Sequence, residues 1–459
     1  MALAGDDDPE GQLSSAAASG PHVLYVAWGF PPSRGGGVYR ALATANGLSR
    51  QGFSVTVLTA TRETFLRHTG ADLSLEAEVD PAIRVVRIPF DWPIMETDVR
   101  TWPLTRALHP AAWRKARIAA DLAVFPEPSY GPWRPALERA AREIHAERPV
   151  DLVVATANPN VDFVPAEVLH RAHGVPYVMD YRDAWLLDVF TGEQLHSDDS
   201  DQAEVEARLM AGAREVWFVN ESIRSWHQER YPATASRMKV VSNGFDPEFA
   251  PEPRLQPPPA DRPLTFGYIG TVSSKVPLAE FAEGWALARS SDPALASATA
   301  RVHGYLGFYG TASPRLAALF RDEGNDGLIF GGPVPKAQVR EAYAGFDALL
   351  LILGKGKHVT SGKVFEYAAS ALPIVAVHDP GNAATDVLRD YPLWFPVTDL
   401  SAESISDALI AAGTSAREAS AQTRAACAAF ARRYERDRQL QPRLAELFRS
   451  STDRGGRQA

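Results

Sequence analysis

The chain has 459 residues, of which 45% are hydrophobic and 22% are charged, as in ordinary globular enzymes. Its net charge of −9, from 47 basic and 56 acidic residues, argues against general nucleic-acid binding. The single cysteine, Cys427, excludes an internal disulfide and a cysteine-based zinc site. We therefore expect a cytoplasmic protein with two or three domains' worth of hydrophobic core.

The first 20 residues have an acidic start and no apolar segment, so we predict a disordered tail rather than a signal peptide. No run approaches the length of apolar residues that a transmembrane helix needs. Apolar runs then alternate with helical patterns, which predicts parallel sheets covered by helices on both faces. In the first half, strands are expected at His22–Ala27, Phe53–Thr59, Ile83–Ile88, Val150–Ala155, Pro176–Asp180, Val216–Val219 and Lys239–Ser242.

A proline-rich segment, residues 251–263, is predicted to link two similar-sized Rossmann-like domains. The first domain is expected at residues 21–250 and the second at residues 264–414, followed by exposed C-terminal helices at 415–450 and a polar tail at 451–459. Strands of the second domain are expected at Leu264–Ile269, Ala300–Gly304, Gly327–Gly331, Ala348–Leu353 and Pro373–Val377. Ligands of such doubly wound sheets bind beyond the carboxyl ends of the strands, which places the functional site in the cleft between the domains.

A helix is predicted to begin near Ser361, directly after the buried strand Ala348–Leu353 and a short basic loop. Free N–H groups at a helix start attract phosphate, so Ser361, Gly362 and Lys363 are candidates for binding a diphosphate. Glu366 lies about one turn further along, where its carboxylate can accept hydrogen bonds from a sugar diol. This pattern predicts a nucleotide-sugar site; a well-capped amphipathic helix with a solvated glutamate is the alternative.

Three glycines, Gly35–Gly37, lie between the first strand and its helix, where backbone N–H groups can approach a phosphate or a sugar closely. The pattern is not G-x-G-x-x-G, because Arg40 stands where the last glycine would be. No acidic residue follows the second strand either, so a dinucleotide site is not indicated. A surface loop is the alternative interpretation of these glycines.

The segment Asp180–Trp185 follows a strand directly, so its polar side chains are expected to face the cleft. Asp183 is our candidate for a carboxylate that contacts an acceptor hydroxyl as base or orienter. Asp180 lies nearer the strand and is expected to be more buried. The alternative is a structural ion pair between Arg182 and its flanking carboxylates.

Two loops of the second domain carry further candidates. Gly270 and Thr271 end its first strand, and Lys275 can neutralise a diphosphate leaving group or remain solvated. Val334 lies in a sharp loop whose backbone groups can read the edge of a base, with a plain turn as the alternative.

Two further segments bear on metal binding and on contact with a membrane. The acidic run with Asp199 and Asp201 resembles a metal-binding D-x-D but is interpreted as a solvated loop, so no metal site is predicted. The segment Arg100–Arg117 combines aromatic and basic residues. It predicts a peripheral contact with the inner face of the membrane, with ordinary packing against the domain as the alternative.

Together these segments resemble the retaining glycosyltransferases of family 4, which have the GT-B fold, over roughly residues 22–391. Five stretches carry the resemblance: Tyr25–Pro32 with the following glycines, Asp180–Trp185, Val241–Asp246, Phe266–Thr271 and Gly362–Tyr367.

The resemblance implies that the second domain holds a sugar nucleotide. Glu366 would accept from the ribose hydroxyls, Ser361–Lys363 would hold the diphosphate, and Lys275 would be a basic diphosphate contact. The first domain would hold a hydroxyl acceptor, with Gly36 and Gly37 near the reacting centre. The resemblance implies transfer of a hexose-type sugar with retention, in glycan or lipid-linked polysaccharide assembly. It also implies that no metal is needed and that the nucleoside-diphosphate sugar is the only cofactor-like molecule, as a co-substrate.

Two positions depart from the family pattern. An upstream glutamate that contacts the donor sugar in the family has no counterpart among His358, Val359 and Thr360, and Thr271 stands where an arginine is common. Lys355, Lys357 or Lys363 are candidates for the missing positive charge. The alternatives are therefore a non-catalytic sugar-nucleotide-binding or regulatory protein of the same fold, and a sugar-nucleotide epimerase.

Overall fold

The computed structural model describes residues 20–248, 250–273, 275–306, 313–320, 327–335, 338–354 and 356–455, with side chains as far as residue 451. In these residues the chain forms two parallel β-sheets, one in each half, with helices packed on both faces. The predicted α/β fold with two doubly wound, Rossmann-like domains is therefore confirmed.

The N-terminal sheet has seven described strands in the order β3-β2-β1-β4-β5-β6-β7. Its bounds are β1 His22–Val26, β2 Ser54–Ala60, β3 Arg84–Ile88, β4 Leu152–Ala157, β5 Tyr177–Tyr181, β6 Glu215–Phe218 and β7 Met238–Val240. The central strand β1 pairs in parallel with β2 and β4. Strand order reverses between β1 and β4, so the carboxyl edge there is the expected place for a ligand.

The C-terminal sheet has six described strands in the order β10-β9-β8-β11-β12-β13. Its bounds are β8 Thr265–Ile269, β9 Thr299–His303, β10 Leu328–Gly332, β11 Ala348–Ile352, β12 Ile374–Val377 and β13 Trp394–Pro396. Strand β11 reads Ala-Leu-Leu-Leu-Ile and is buried throughout, as expected of a parallel strand covered on both faces. The edge strand β13 was not predicted, because three residues carry too little pattern.

Sixteen α-helices are described, most of them connecting successive strands. They are α1 Val38–Arg50, α2 Arg62–Thr64, α3 Leu104–Leu108, α4 Pro110–Val124, α5 Arg134–Glu147, α6 Val164–His173, α7 Asp201–Gly212, α8 Glu221–Arg230, α9 Leu278–Ser291, α10 Pro314–Ala318, α11 Val339–Ala344, α12 Lys363–Ala369, α13 Ala384–Leu388, α14 Ala402–Glu418, α15 Ala421–Arg432 and α16 Arg436–Gly455. Short 3₁₀ or π turns occupy Phe65–Thr69, Leu73–Glu78, Pro93–Met95, Val99–Thr101, Gly131–Trp133, Asn160–Phe163 and Pro232–Arg237.

The proline-rich segment lies along the C-terminal domain. Arg254 and Arg262 both form ion pairs with Asp347, which is fully buried just before β11, at 2.9 and 2.5 Å. Arg417 of α14 donates to the carbonyls of Pro259 and Arg262. These contacts fasten the segment to the second domain over much of its length.

The last helices return the chain to the N-terminal domain. Leu440, Leu444 and Leu447 of α16 are buried in the N-terminal core, and Phe448 packs edge-on against Phe53. The prediction that the C-terminal helices are exposed is wrong for α16, because its apolar face fills a groove that the sequence does not reveal. The helix thereby joins the two halves a second time.

Candidate functional site in the interdomain cleft

A cavity of about 790 Å³ lies between the domains, at the carboxyl ends of strands of both sheets. Phe190 and Thr191, which follow β5, line it from the N-terminal side. The residues that line it from the C-terminal side follow β8, β11 and β12: Lys275, Gly356, Lys357, Asp379, Gly381 and Asn382. Ligands of doubly wound sheets bind at such edges, so this cleft is the candidate site.

Lys275 lies at the wall of this cavity. Its Nζ is 4.8 Å from the centre of the Phe190 ring, a cation–π contact that spans the two domains. The backbone of Gly354 passes so close that a Cβ there would lie 2.4 Å from the carbonyl oxygen of Lys275. The predicted lysine therefore stands in the cleft, with its position set by the loop after β11.

Lys363 and Gly270 lie in direct contact. The Lys363 Nζ donates to the Tyr268 hydroxyl at 2.7 Å, and a Cβ on Gly270 would lie 2.2 Å from the same Nζ. Gly270 also has a φ of +150°, which L-residues rarely adopt. Burial lowers the pKa of Lys363 to about 8, against the opposing effect of Glu366. The structure thus places an easily deprotonated cation at the end of β8.

Glu366 lies on the first turn of α12, as predicted. The Tyr343 hydroxyl donates to its Oε2 at 3.3 Å. Burial, together with Tyr367 and Glu366, raises the pKa of Tyr343 well above its usual value, so the hydroxyl stays a donor. Glu366 is half-buried.

The residues before α12 form an open turn. The helix begins at Lys363, two residues later than Ser361, and the carbonyls of Ser361 and Gly362 accept from the N–H groups of Val364 and Phe365. A Cβ on Gly362 would meet nothing within 4 Å. Thr271 is exposed, and its carbonyl accepts from the Tyr268 hydroxyl at 2.9 Å.

Val334 lines a separate cavity of about 460 Å³ in the C-terminal domain. His303, at the end of β9, and Phe346 line the same cavity. A Cβ on Gly331 would lie 2.3 Å from the His303 ring, so the loop after β10 lies directly on the imidazole. The structure therefore brings Val334 together with an aromatic ring and an imidazole.

On the N-terminal side, the burial expected for Asp180 is observed, whereas the alternative of an ion pair with Arg182 is not. Asp180 is fully buried and forms a two-point ion pair with Arg40, at 2.6 and 2.8 Å. Arg40 also donates to the carbonyls of Val241 and Ser242. Asp180 therefore pairs with an arginine 140 positions away, not with its neighbour Arg182.

Arg182 instead organises the loop after β4. Its Nε and Nη2 donate to the carbonyls of Ala157 and Asn158 at 2.7 and 2.6 Å. A Cβ on Gly37 would lie 1.2 Å from its Nη1, so a side chain there would displace the Arg182 guanidinium. Gly36 has nothing within 4 Å of its would-be Cβ, so the glycine turn remains open at that point.

Asp183 is exposed beside the same loop, where the Asn158 amide donates to it at 3.3 Å. It is not among the described residues that line the cavity, and its role as an acceptor contact stays a prediction. Asn158 joins it to the loop after β4.

The sequence did not reveal two buried acids beneath this loop. Glu127 accepts from the N–H groups of Asn160 and Val161 at 2.9 and 2.8 Å, and burial raises its pKa to about 7. Asp162 accepts from the N–H of Trp28 at 2.7 Å, and burial raises its pKa well above the usual value. No local pattern marks either residue, because the segments that carry them meet only in the tertiary structure.

The loop that enters α12 is docked against the N-terminal domain. The His358 N–H donates to the Val189 carbonyl at 3.0 Å, and its Nδ1 lies 2.6 Å from the Ser222 hydroxyl. The Asn220 amide donates to the His358 carbonyl and to the Thr360 hydroxyl. His358 thus turns toward the N-terminal domain, and Lys355 lies outside the described residues.

Neither a metal cluster nor a membrane span is found in the part of the chain that the structure covers. No group of three or more His, Cys, Asp or Glu side chains could hold a metal ion there. Asp199 is exposed and Asp201 begins α7. None of the helices in the described ranges has the length and apolar content needed to cross a bilayer.

Comparison with known proteins agrees with this architecture. Residues 34–249 match the family model described as Glycosyltransferase Family 4. No curated protein matches the chain at a significant level.

Several solved structures share the fold. A glycosyltransferase from Rickettsia africae ESF-5 has a TM-score of 0.65 and 11% identity, covering 95% of this chain and 99% of its own. Alr3699/HepE from Anabaena, solved in complex with UDP and glucose, has a TM-score of 0.58 and 16% identity, covering 94% and 100%. A sucrose-phosphate synthase from Thermosynechococcus elongatus has a TM-score of 0.57 and 13% identity, covering 94% and 99%.

At these identities the structural likeness establishes the fold alone. The predicted GT-B fold is confirmed, and residues 34–249, slightly less than half of this chain, match the model of Glycosyltransferase Family 4.

Proposed function

We propose that this protein is a glycosyltransferase that moves a hexose-type sugar from a nucleoside-diphosphate sugar to a hydroxyl acceptor, with retention of anomeric configuration and without a metal. The observation that carries the proposal is the placement of Lys363 and Glu366 on the first turn of α12, which follows β11 of the C-terminal sheet. A cation for a diphosphate and a carboxylate for a diol, one turn apart, fit the two polar parts of a nucleotide.

For the donor, Glu366 would accept from the ribose hydroxyls, and Lys363 with the open turn at Ser361 and Gly362 would hold the diphosphate. Lys275 would neutralise the leaving group from the cavity wall. Gly270 leaves the space that Lys363 occupies, so Lys363 stands beside Thr271 and can supply positive charge there. The cavity at Val334 is a candidate for the base.

For the acceptor, Asp183 would orient the attacking hydroxyl, and Gly36 and Gly37 would line the reacting centre. Glu127 and Arg182 both form hydrogen bonds with the loop after β4, which would form the wall of the acceptor site. They would therefore position this acceptor wall rather than touch the substrate. A family match confined to residues 34–249 supports an acceptor domain of this type.

The first test is a thermal-shift screen of UDP, GDP, ADP, dTDP and their sugar conjugates, with and without EDTA. A ligand at about 100 times its Kd stabilises the folded state by about 2.7 kcal/mol, which gives a measurable shift. We expect one nucleoside diphosphate to stand out and EDTA to change nothing. No shift from any nucleotide would contradict the proposed donor site.

Glu366→Ala is the second test. Loss of one hydrogen bond to a charged group, about 1.5–3 kcal/mol, should weaken nucleotide binding by about tenfold or more. Glu283→Ala on α9 is the matched control, because Glu283 is an exposed glutamate of the same domain. Unchanged nucleotide affinity in Glu366→Ala would overturn the ribose assignment.

A non-catalytic sugar-nucleotide-binding protein is the second candidate function. The observation that favours it is His358, which stands where the resemblance calls for a carboxylate and turns toward Ser222. Incubation of the bound nucleotide sugar with the protein distinguishes the two. Transfer or donor hydrolysis with the anomeric configuration retained supports the enzyme, stable donor supports the binding protein, and conversion of the donor without acceptor would indicate an epimerase.

A further inference from the structure

The stretch of residues 99–120 is strongly basic in an otherwise acidic protein. It contains five cations, Arg100, Arg106, Arg114, Lys115 and Arg117, and no carboxylate, whereas the whole chain has a net charge of −9. It forms α3 and α4, which pack on each other at the surface of the N-terminal domain. A local excess of positive charge of this kind attracts an anionic partner.

Two of the five cations are internal to the fold. Arg106 is buried, donates to backbone carbonyls of Pro93–Glu96, and lies 3.9 Å from the Trp102 ring centre and 4.8 Å from that of Trp113. Arg117 forms an ion pair with Asp121 at 2.8 Å. Arg100 is exposed but forms an ion pair with Asp98 at 2.7 Å. Among the described residues of this stretch, the exposed cations without a carboxylate partner are therefore Arg114 and Lys115, and both tryptophans are occupied by Arg106.

The same surface exposes large aliphatic side chains. Val99, Leu104 and Leu108 are 65%, 72% and 63% exposed. Leu66 and Met95 are also exposed, and the ion pair of Arg67 with Glu96 holds their two turns together. Exposed leucines next to unpaired cations are unusual for a free surface and are typical of segments that lie in a lipid headgroup layer.

We propose that this surface, formed by Val99, Arg100, Leu104, Leu108, Arg114 and Lys115, docks the protein on a bilayer that carries anionic lipids. The aliphatic side chains would enter the headgroup boundary, and Arg114 and Lys115 would face lipid phosphates. Exposed aliphatics, without exposed aromatic rings to stack on bases, favour a bilayer over a nucleic acid.

The position of this surface relates it to the acceptor wall. Helix α4 ends at Val124, and Glu127, three residues later, binds the N–H groups of Asn160 and Val161 in the loop after β4. The helix that carries this surface therefore leads directly into a residue that holds the loop after β4, which we assign to the acceptor. Resting on the proposed function, this points to an acceptor that is itself anchored in the membrane by a lipid.

The test is co-sedimentation of the full chain with phosphatidylcholine vesicles, with and without phosphatidylglycerol. We expect binding only to the anionic vesicles. Arg114→Gln with Lys115→Gln should weaken it roughly 30-fold, about fivefold for each charge removed at the membrane surface. Leu104→Ser with Leu108→Ser should weaken it about as strongly, because both leucines lose their apolar contact.

Matched controls lie elsewhere on the protein. Arg142→Gln with Arg171→Gln removes two exposed cations, and Leu195→Ser removes an exposed leucine, so neither should change vesicle binding. All variants should keep the thermal midpoint and the nucleotide-induced shift of the unaltered chain. These two readouts test folding and donor binding separately from docking, so failure of the docking proposal would leave the proposed function standing.

Absence of binding to anionic vesicles, or binding that survives both double substitutions, would overturn the proposal. Concentration-dependent dimerisation that Leu104→Ser with Leu108→Ser abolishes, without vesicle binding, would assign the surface to a second copy of the chain. If the chain binds an acidic protein but no vesicles, and Arg114→Gln with Lys115→Gln abolishes that binding, the proposal would also be overturned and the surface assigned to a protein partner.

Discussion

At the scale of residues, the candidate site depends on side chains such as Lys363, whose pKa is changed by burial. Lys363 was predicted as a phosphate contact, and the structure places its Nζ against Gly270 and the Tyr268 hydroxyl. Desolvation is the reason that the pKa of this lysine falls to about 8. The sequence could supply the residue but not this environment, because Tyr268 lies 95 positions away.

The lowered pKa of Lys363 predicts a pH dependence of donor binding. Below about pH 8 the amine is protonated and attracts the diphosphate, and as the pH rises through 8 the charge and the attraction are lost. We expect the affinity for the nucleotide found in the thermal screen to fall between pH 7.5 and about 9.5. Calorimetric titration of the unaltered chain and of Lys363→Met measures this. In the variant the affinity should be weaker and flat over that range, and an equal fall in both would contradict the assignment.

Asp180 and Asp183 make a second residue-level prediction. Asp180→Asn leaves the Arg40 guanidinium buried without its counter-charge and should lower the free energy of unfolding by about 3–5 kcal/mol. Asp183→Asn, three positions later and exposed, should change it by less than about 0.5 kcal/mol while slowing transfer. Urea unfolding of both variants, with transfer rates for the second, provides the comparison. Equal stability of the two would show that the Arg40 pair is not structural.

At the scale of elements, alternation of apolar runs and helical patterns was enough to predict twelve of the thirteen strands that the structure describes, within one or two residues at most ends. Buried parallel strands such as β11 can be predicted from sequence because residues on both faces are apolar. Helix α16 was misjudged, because its Ala- and Arg-rich neighbourhood suggested solvent on all sides. The groove that receives Leu444 exists only after α1 has packed on the sheet, where Gly47 allows the close approach.

The docking of α16 predicts the effect of truncating its central leucine. Leu444→Ala should lower the free energy of unfolding by about 2–5 kcal/mol, because a buried leucine is replaced by a cavity between α1 and α16. Leu255→Ala, at an exposed leucine of the proline-rich segment, is the control and should be close to neutral. Chemical denaturation measures both, and a neutral Leu444→Ala would contradict the buried position of α16.

At the scale of the whole molecule, the candidate site exists only because two separate sheets present their carboxyl edges to one cavity. The loop from Gly356 to Thr360 links the two, since it lines the cavity and is hydrogen-bonded to Asn220 and Ser222 of the other domain. Burial, with Lys357 as a further cause, lowers the pKa of His358, so this contact is made by a neutral imidazole.

This interdomain contact predicts the behaviour of Ser222→Ala. Loss of the bond to His358 should cost about 1 kcal/mol and speed exchange of the His358 amide, which donates to Val189. Nucleotide affinity should change by less than about twofold, since Glu366 and Lys363 are untouched, whereas the transfer rate should fall. Ser225→Ala, on the same helix with its hydroxyl bonded to Glu221, is the control. Unchanged amide exchange in Ser222→Ala would show that the contact does not hold the domains.

The sequence by itself determined the fold class, the strands and the identity of most candidate site residues, because burial on both faces, glycine turns and helix starts are local patterns. Tertiary structure decided the surroundings of each of them. It buried Asp180 against Arg40, left Asp183 exposed, placed Lys363 on Gly270, and brought Glu127 under the acceptor wall. Charge pairing and desolvation depend on distances between segments that lie far apart along the chain, and no local pattern contains those distances.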